Sequence, residues 1–150
     1  MIQRFEEFTS NIAKAYKSII KIKGHEMTEY NLKASNVTCL FYLGKHTEGL
    51  TATELCALCM EDKAAVSKSL AVLKAEGYVN QPDDGKKYKL KYVITPSGKK
   101  VYDEINIVIG KVVEMVGEGL TDEERNIFYK SLGIIVNNLD TLCNGLEDKK

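Results

Sequence analysis

The spacing of apolar residues changes period twice along this chain, and that change limits the possible folds more than any other feature. Up to residue 77 apolar positions recur every three or four residues, the period of an amphipathic helix. Tyr88, Leu90, Tyr92 and Ile94 then alternate with Lys87, Lys89 and Lys91, the period of a strand with one apolar face. From Val101 the helical period returns and runs almost to the end. A single strand-like run, preceded by "YVNQ" and the turn "PDDG", provides for one hairpin and no larger sheet. The expected class is therefore mainly α with a small β-hairpin.

Local signals divide the helical parts. At the start, Phe5, Phe8, Ile12, Ala15, Ile19 and Ile22 form a seam suited to lengthwise contact with another helix. At the end, Phe128, Leu132, Ile135, Leu139, Leu142 and Leu146 form a second, opened by Thr121 and Glu124 in capping-box spacing. Long seams at both ends point to a subunit that completes its core by pairing with a second copy. Between them, "SNVTCLFYLGKH" is capped by Ser35 and ends near Gly44. "LTATELCALC" follows, with Thr51 and Glu54 as a second capping box and Leu50 and Leu55 as a hydrophobic staple. Across the short turn "MED", Asp62 caps "KAAVSKSLAVLKAEG", which ends near Gly77. After the hairpin, Thr95 caps and Pro96 opens a helix with two apolar faces. One face carries Val101, Ile105, Val108 and Val112; the other carries Tyr102, Ile109, Val113 and Val116.

The helix at 62–77 differs from an ordinary surface helix. On a helical wheel Val66, Leu70, Leu73 and Gly77 cluster inward, while Ala64, Ser67, Lys68, Ala71 and Ala75 fall opposite. The outer face is thus short, smooth and mildly basic. Two capped helices across a tight turn make a helix–turn–helix, whose second helix enters the major groove of DNA. A groove about 12 Å wide favours small residues at closest approach. Ala64 suits a thymine methyl, Ser67 a base edge or phosphate, and Lys63 and Lys68 guanine or phosphate. Thr51 and Thr53 start the preceding helix, whose exposed N–H groups suit a phosphate. The hairpin has the place of a wing, with Lys86, Lys87 and Lys89 against backbone or minor groove. Charge agrees: residues 62–100 hold nine lysines against four acids, within a chain of formal net charge zero. The competing reading of the same stretch is an alanine-rich helix packed against another protein.

At "LTATELCALCMEDKAAVSKSLAVLKAEGYV", with the wing after it and "ITPSGKKVYDEI" opening the long helix, the sequence resembles the MarR family of bacterial transcription regulators. "LTDEERNIFYKSLGIIVNNL" is similar to that family's last dimerisation helix. The resemblance implies a winged helix–turn–helix homodimer in which residues 1–34 are the N-terminal dimerisation helix and connection. Residues 35–100 would be the DNA-binding lobe, and 101–150 the linking and C-terminal dimerisation helices of one compact subunit. It further implies a repressor on a pseudo-palindromic double-stranded operator, modulated by a small-molecule effector in a cleft between the DNA lobe and the dimerisation helices; Tyr16, Tyr42 and Tyr102 are candidates to line it and serve equally well as core. Two departures stand out. The family's wing commonly carries Asp-x-Arg, and this chain has Asp84-Gly85-Lys86; Lys68 stands where arginine is usual. Arg4 and Arg125 are the chain's only arginines, so phosphate contacts and strong salt sensitivity are expected.

Other chemistries find less support. Cys56-Ala57-Leu58-Cys59 is a CxxC without the βαβ context of a thiol oxidoreductase or a second pair for zinc. Cys59 is expected to pack inward beside Leu55 with Cys56 half-exposed; the alternative is a thiol-based redox-sensing regulator using Cys56 and Cys59. The family's peroxide sensors carry their cysteine near the amino terminus, where this chain has none. "GHEMTEY" resembles a zinc-sensor loop, but no histidine lies between Val101 and Val116, so His25 and His46 are read as surface groups. No catalytic constellation, cofactor motif or metal site is apparent. No apolar run approaches the ~20 residues of a membrane span, and "MIQRFEEFTS" lacks a signal segment. The expectation is a cytoplasmic DNA-binding protein that is not an enzyme, with a winged-helix protein-interaction module as the rival.

Overall fold

A computed structural model describes residues 2–82 and 90–147. The chain forms two compact units, Met1–Ile109 and Gly110–Lys150. Its helices are α1 (Ile2–Glu26), α2 (Ala34–Lys45), α3 (Ala52–Cys59), α4 (Lys63–Ala75), α5 (Pro96–Val116) and α6 (Asp122–Glu147). A 3-10 turn at Thr28–Tyr30 follows α1, and the strands β1 (Val79–Asn80) and β2 (Val93–Ile94) lie between α4 and α5.

The core of the first unit is built by the helical spacing seen in the sequence. Val37, Leu40 and Leu43 of α2 are buried, as are Leu55 and Cys59 of α3, Val66, Leu70 and Leu73 of α4, and Val101 and Ile105 of α5. Each is one or two turns from the next on its own helix, so each helix gives one stripe to a shared centre. Full burial of one such aliphatic side chain contributes about 1.5–3 kcal/mol. Met27 and Leu32, flanking the 3-10 turn, add to this core although no period marked them.

Two local details, the start of α2 and the place of Gly77, depart from the sequence expectation. Helix α2 begins one residue before Ser35: Lys33 is the residue at its cap, and the buried carboxamide of Asn36, three residues on, accepts the Lys33 N–H at 2.8 Å. Gly77 is exposed rather than inward: α4 ends at Ala75, and Gly77 takes φ +73, so the wheel no longer applies there. On α5, Val101 and Ile105 are buried and Val108 half-buried, whereas Ile109, Val113 and Val116 of the second face are exposed.

The strands pair antiparallel, Val79 with Ile94 and Asn80 with Val93. A third segment joins them: Leu50 donates to the Tyr92 carbonyl at 3.0 Å and accepts from the Tyr92 N–H at 2.8 Å. Gly49 permits this approach; it sits at φ +81, and a Cβ there would lie 2.8 Å from the Tyr92 carbonyl oxygen. The turn residues Asp83, Asp84 and Gly85, and the alternating run from Lys86 to Lys89, lie outside the described residues. Leu90, Tyr92, Val93 and Ile94 are all half-buried and Lys91 is exposed, so the alternation holds at Lys91 and not at Val93. Thr95 joins strand to helix: its N–H donates to Tyr78 O at 2.9 Å and its hydroxyl to Gly77 O at 2.7 Å. The same hydroxyl accepts the Gly98 N–H at 3.0 Å, as a cap for α5.

In the second unit, α6 opens with the expected capping box. The Glu124 carboxylate accepts the N–H and the hydroxyl of Thr121, both at 2.8 Å, and the Glu124 N–H returns to the hydroxyl at 3.2 Å. These bonds, with that of the backbone first, hold the Glu124 carboxyl below its ordinary range. Arg125 donates to Gly117 O at 2.7 Å and Leu120 O at 3.4 Å, closing the corner after α5. Both terminal seams are solvent-facing within the chain: Phe5, Ile12 and Ile19 on α1, and Phe128, Leu139, Leu142 and Leu146 on α6.

Candidate nucleic-acid interface

The candidate surface is built on α3, the turn 60–62 and α4. Thr51 and Glu54 close the capping box foreseen for α3. Thr51 donates its N–H (2.7 Å) and hydroxyl (2.8 Å) to the Glu54 carboxylate, and the Glu54 N–H donates back to the hydroxyl at 3.3 Å. Both donors of Thr51 are thereby engaged, which leaves the exposed Thr53 as the side-chain donor at this helix start. The turn is made by Met60, which adopts the left-handed conformation at φ 53 and points outward, 88% exposed. Asp62 then caps α4, its carboxylate accepting the Ala65 N–H at 2.8 Å.

Helix α4 has the two faces read from the sequence. Val66, Leu70 and Leu73 anchor it in the core, and Ser69 is buried with them. Lys63, Ala64, Ser67, Lys68, Ala71 and Ala75 are all exposed. The outward stripe therefore holds methyl groups, one hydroxyl and two flexible ammonium groups over a rigid backing. Such a surface can approach a polyanion closely and carries few long side chains to clear first. Lys86, Lys87 and Lys89 lie outside the described residues.

Sequence reasoning missed a neighbouring feature. The start of α2 lies beside α4, and Asn31, Lys33, Ser35, Ala65 and Lys68 line a depression of about 230 Å³ with Asn36, Ser69 and Val72. Lys33 thus joins Lys68 on one side of the lobe. The only signal was the polar run "NLKASN" just ahead of a helix, which an ordinary cap explains equally well.

The remaining candidate groups are placed as follows. Cys59 is buried and Cys56 half-exposed, but the neighbour of Cys59 is Cys39 on α2, with the sulfurs 3.6 Å apart. His25 and His46 are paired with Glu26 and Glu48, at 3.4 and 3.2 Å. Among the described residues no three His, Cys, Asp or Glu side chains gather as a metal site, and no helix is long and apolar enough to cross a membrane. Tyr42 and Tyr102 are half-buried around Phe41, with ring centroids 5.7 and 6.0 Å away, and Tyr16 is exposed on α1.

Two capped helices across a tight turn, with a short antiparallel ribbon immediately after, define a winged helix–turn–helix. It is the MarR family that the chain resembles: that family's model matches residues 30–87, from the end of the 3-10 turn into the wing. Solved structures extend the likeness in fold. A MarR transcriptional regulator from Methanosarcina mazei Go1 superposes with a TM-score of 0.82 at 20% identity, over 91% of this chain and 92% of that one. The S. aureus MepR–DNA complex gives 0.78 at 16% identity, over 88% and 96%. A MarR-family regulator from Listeria monocytogenes, complexed with 26mer DNA, gives 0.75 at 19% identity, over 87% of each chain. A search of curated protein sequences gave no match.

Proposed function

We propose that this chain is a DNA-binding transcription regulator that acts as a homodimer in the cytoplasm and has no enzymatic activity. The observation that carries the reading is the outward stripe of α4, small and basic, backed by a fully buried stripe on the same helix. In the proposed footprint Lys63, Ala64, Ser67 and Lys68 meet the major groove, and Thr53 meets a phosphate at the start of α3. Thr51, both of whose donors go to Glu54, holds that helix start in shape. Lys86, Lys87 and Lys89 supply the wing contact, and Lys33 a further phosphate contact beside Lys68. The DNA complexes among the similar structures support this reading. The exposed seams of α1 and α6 support pairing with a second copy, since apolar rows of this length rarely stay in water. The division into residues 1–34, 35–100 and 101–150 follows from the same reading, with dimerisation elements flanking the lobe. Repression of a pseudo-palindromic operator, relieved by a small-molecule effector, rests on the family resemblance.

The test is a fluorescence-anisotropy titration at physiological salt, comparing DNA from upstream of the chain's own gene with a scrambled duplex. The reading expects a preference of about a thousandfold or more. Equal weak binding to both duplexes would reject it in favour of a protein-binding module. Sedimentation of the parent and of Leu142→Glu tests the pairing: a dimer that becomes a monomer is expected, and a monomeric parent would exclude it.

A further inference from the structure

Among the described residues two that are not glycine take a positive φ, Asn31 at 57 and Met60 at 53. Asparagine enters this left-handed region readily, because its short polar side chain bonds locally; most other side chains crowd the following carbonyl and are strained there. Met60 is of the second kind, at a corner after α3 where glycine would sit without strain. Main-chain bonds hold the corner in shape: the Met60 N–H donates to Ala57 O at 3.4 Å and the Glu61 N–H to Cys56 O at 3.1 Å. The side chain returns nothing to the core. At 88% it is the most exposed large apolar side chain among the described residues. A long apolar group kept in a strained place and facing solvent points to a use outside the lobe.

We propose that Met60 is a specificity-determining residue that packs on the C5-methyl group of thymine at the edge of the major-groove contact, an assignment that rests on the proposed function. Lys63 and Ala64, the first two residues of α4, follow Met60 by three and four positions, so Met60 stands beside the end of the helix that enters the groove. Thymine is the base that presents a methyl group in the major groove, and the unbranched, polarisable thioether chain adapts to such a group. The residues next to Met60 disfavour the other partner that DNA offers. Glu61 and Asp62 are exposed carboxylates, and like charges repel, so a phosphate is kept from this corner while Lys63 and Lys68 attract it elsewhere. Base edges are what remains within reach of Met60. Burying one methyl group there is a preference of about fourfold for thymine over uracil.

Uracil pairs as thymine does and lacks the methyl group, which gives the test. The DNA upstream of the chain's own gene is synthesised once with thymine and once with uracil throughout, and anisotropy titration gives the ratio of the two Kd values for the parent, Met60→Leu and Met60→Gly. Any change that uracil makes to the duplex itself, and any contact through Ala64, is common to the three proteins and cancels when their ratios are compared. The expected preference for thymine is about fourfold smaller in Met60→Gly than in the parent for each half-site engaged, and largely kept in Met60→Leu. Equal ratios in the parent and Met60→Gly would overturn the inference. Urea denaturation separates this role from a structural one: Met60→Gly should be the more stable protein, with a folded-to-unfolded ratio higher by about two- to fivefold. A less stable Met60→Gly would make Met60 a residue of the fold and would also overturn the inference. A parent that binds the upstream duplex no better than a scrambled one removes the proposed function and this inference together. A parent that discriminates, with a thymine preference indifferent to Met60, removes the inference alone.

Discussion

Gly98→Ala is the sharpest test of how α5 is joined to the lobe. A Cβ at this position would lie 2.0 Å from the Tyr78 carbonyl oxygen, 2.8 Å from its carbon and 2.9 Å from Ile94 Cγ1. Real Cβ atoms essentially never come closer than 3.0 Å, so the first turn of α5 must retreat by about 1 Å. The obstacle is backbone, which cannot rotate aside. The retreat strains the three bonds through Thr95, to Tyr78 O at 2.9 Å, Gly77 O at 2.7 Å and from Gly98 N at 3.0 Å. Overpacking of this kind costs about 1–3 kcal/mol, and each weakened hydrogen bond about 0.5–1.5 kcal/mol. Because the bonds stretch rather than vanish, the total is set at about 2–4 kcal/mol. Urea denaturation at one fixed protein concentration reads the loss as a lower midpoint at unchanged slope. Gly110→Ala is the control: it lies on the same helix with nothing within 4 Å of its Cβ, and should gain about 0.5–1 kcal/mol. A Gly98→Ala loss below about 0.5 kcal/mol would refute the reasoning, since that is the scatter of ordinary surface changes.

Other perturbations read other levels of the structure. Leu55→Ala, at a side chain with no exposed surface, should lower stability by about 2–5 kcal/mol in the same assay. Lys68→Ala should weaken operator and scrambled DNA alike and reduce the slope of log K against log salt by about 0.9 if it neutralises one phosphate; an unchanged slope would remove Lys68 from the footprint. For Glu124, the folded carboxyl is depressed by the Thr121 N–H and hydroxyl, so its contribution is present above the usual carboxylate range and lost as pH falls through the folded value. The stability gap between parent and Glu124→Gln should therefore narrow between about pH 5 and about pH 3, and a gap that is flat with pH would contradict the capping geometry.

Features decided within one turn of chain were legible in the sequence. Both capping boxes, the Asp62 cap and the two faces of α4 depend on neighbours three or four residues apart, and each formed as read. The start of α2 was misplaced because Ser35 is a good cap by type, whereas the helix starts at Ala34 and Asn36 reaches back from inside it to the Lys33 N–H. Gly77 failed for a different reason, because a wheel holds only while the backbone stays helical and a left-handed residue ends it. The Cys39–Cys59 contact, the depression beside Lys33 and the Leu50–Tyr92 bridge join segments far apart in sequence. They arise from how helices and strands stack, which no local period encodes. The second face of α5 and the two terminal seams were visible as apolar rows, and a row does not say what covers it.

The bridge between Leu50 and Tyr92 makes the lobe a measuring device. Leu50 immediately precedes the cap of α3, and Tyr92 immediately precedes β2, so a pair of backbone hydrogen bonds ties the first helix of the helix–turn–helix to the base of the wing. On the proposed footprint the start of α3 meets a phosphate, and the wing that rises from this base carries Lys86, Lys87 and Lys89. Their separation is then a fixed gauge length, written in main-chain bonds that most side-chain substitutions leave in place. Drift in the sequence of such a protein can change which bases it favours without changing the groove spacing it demands.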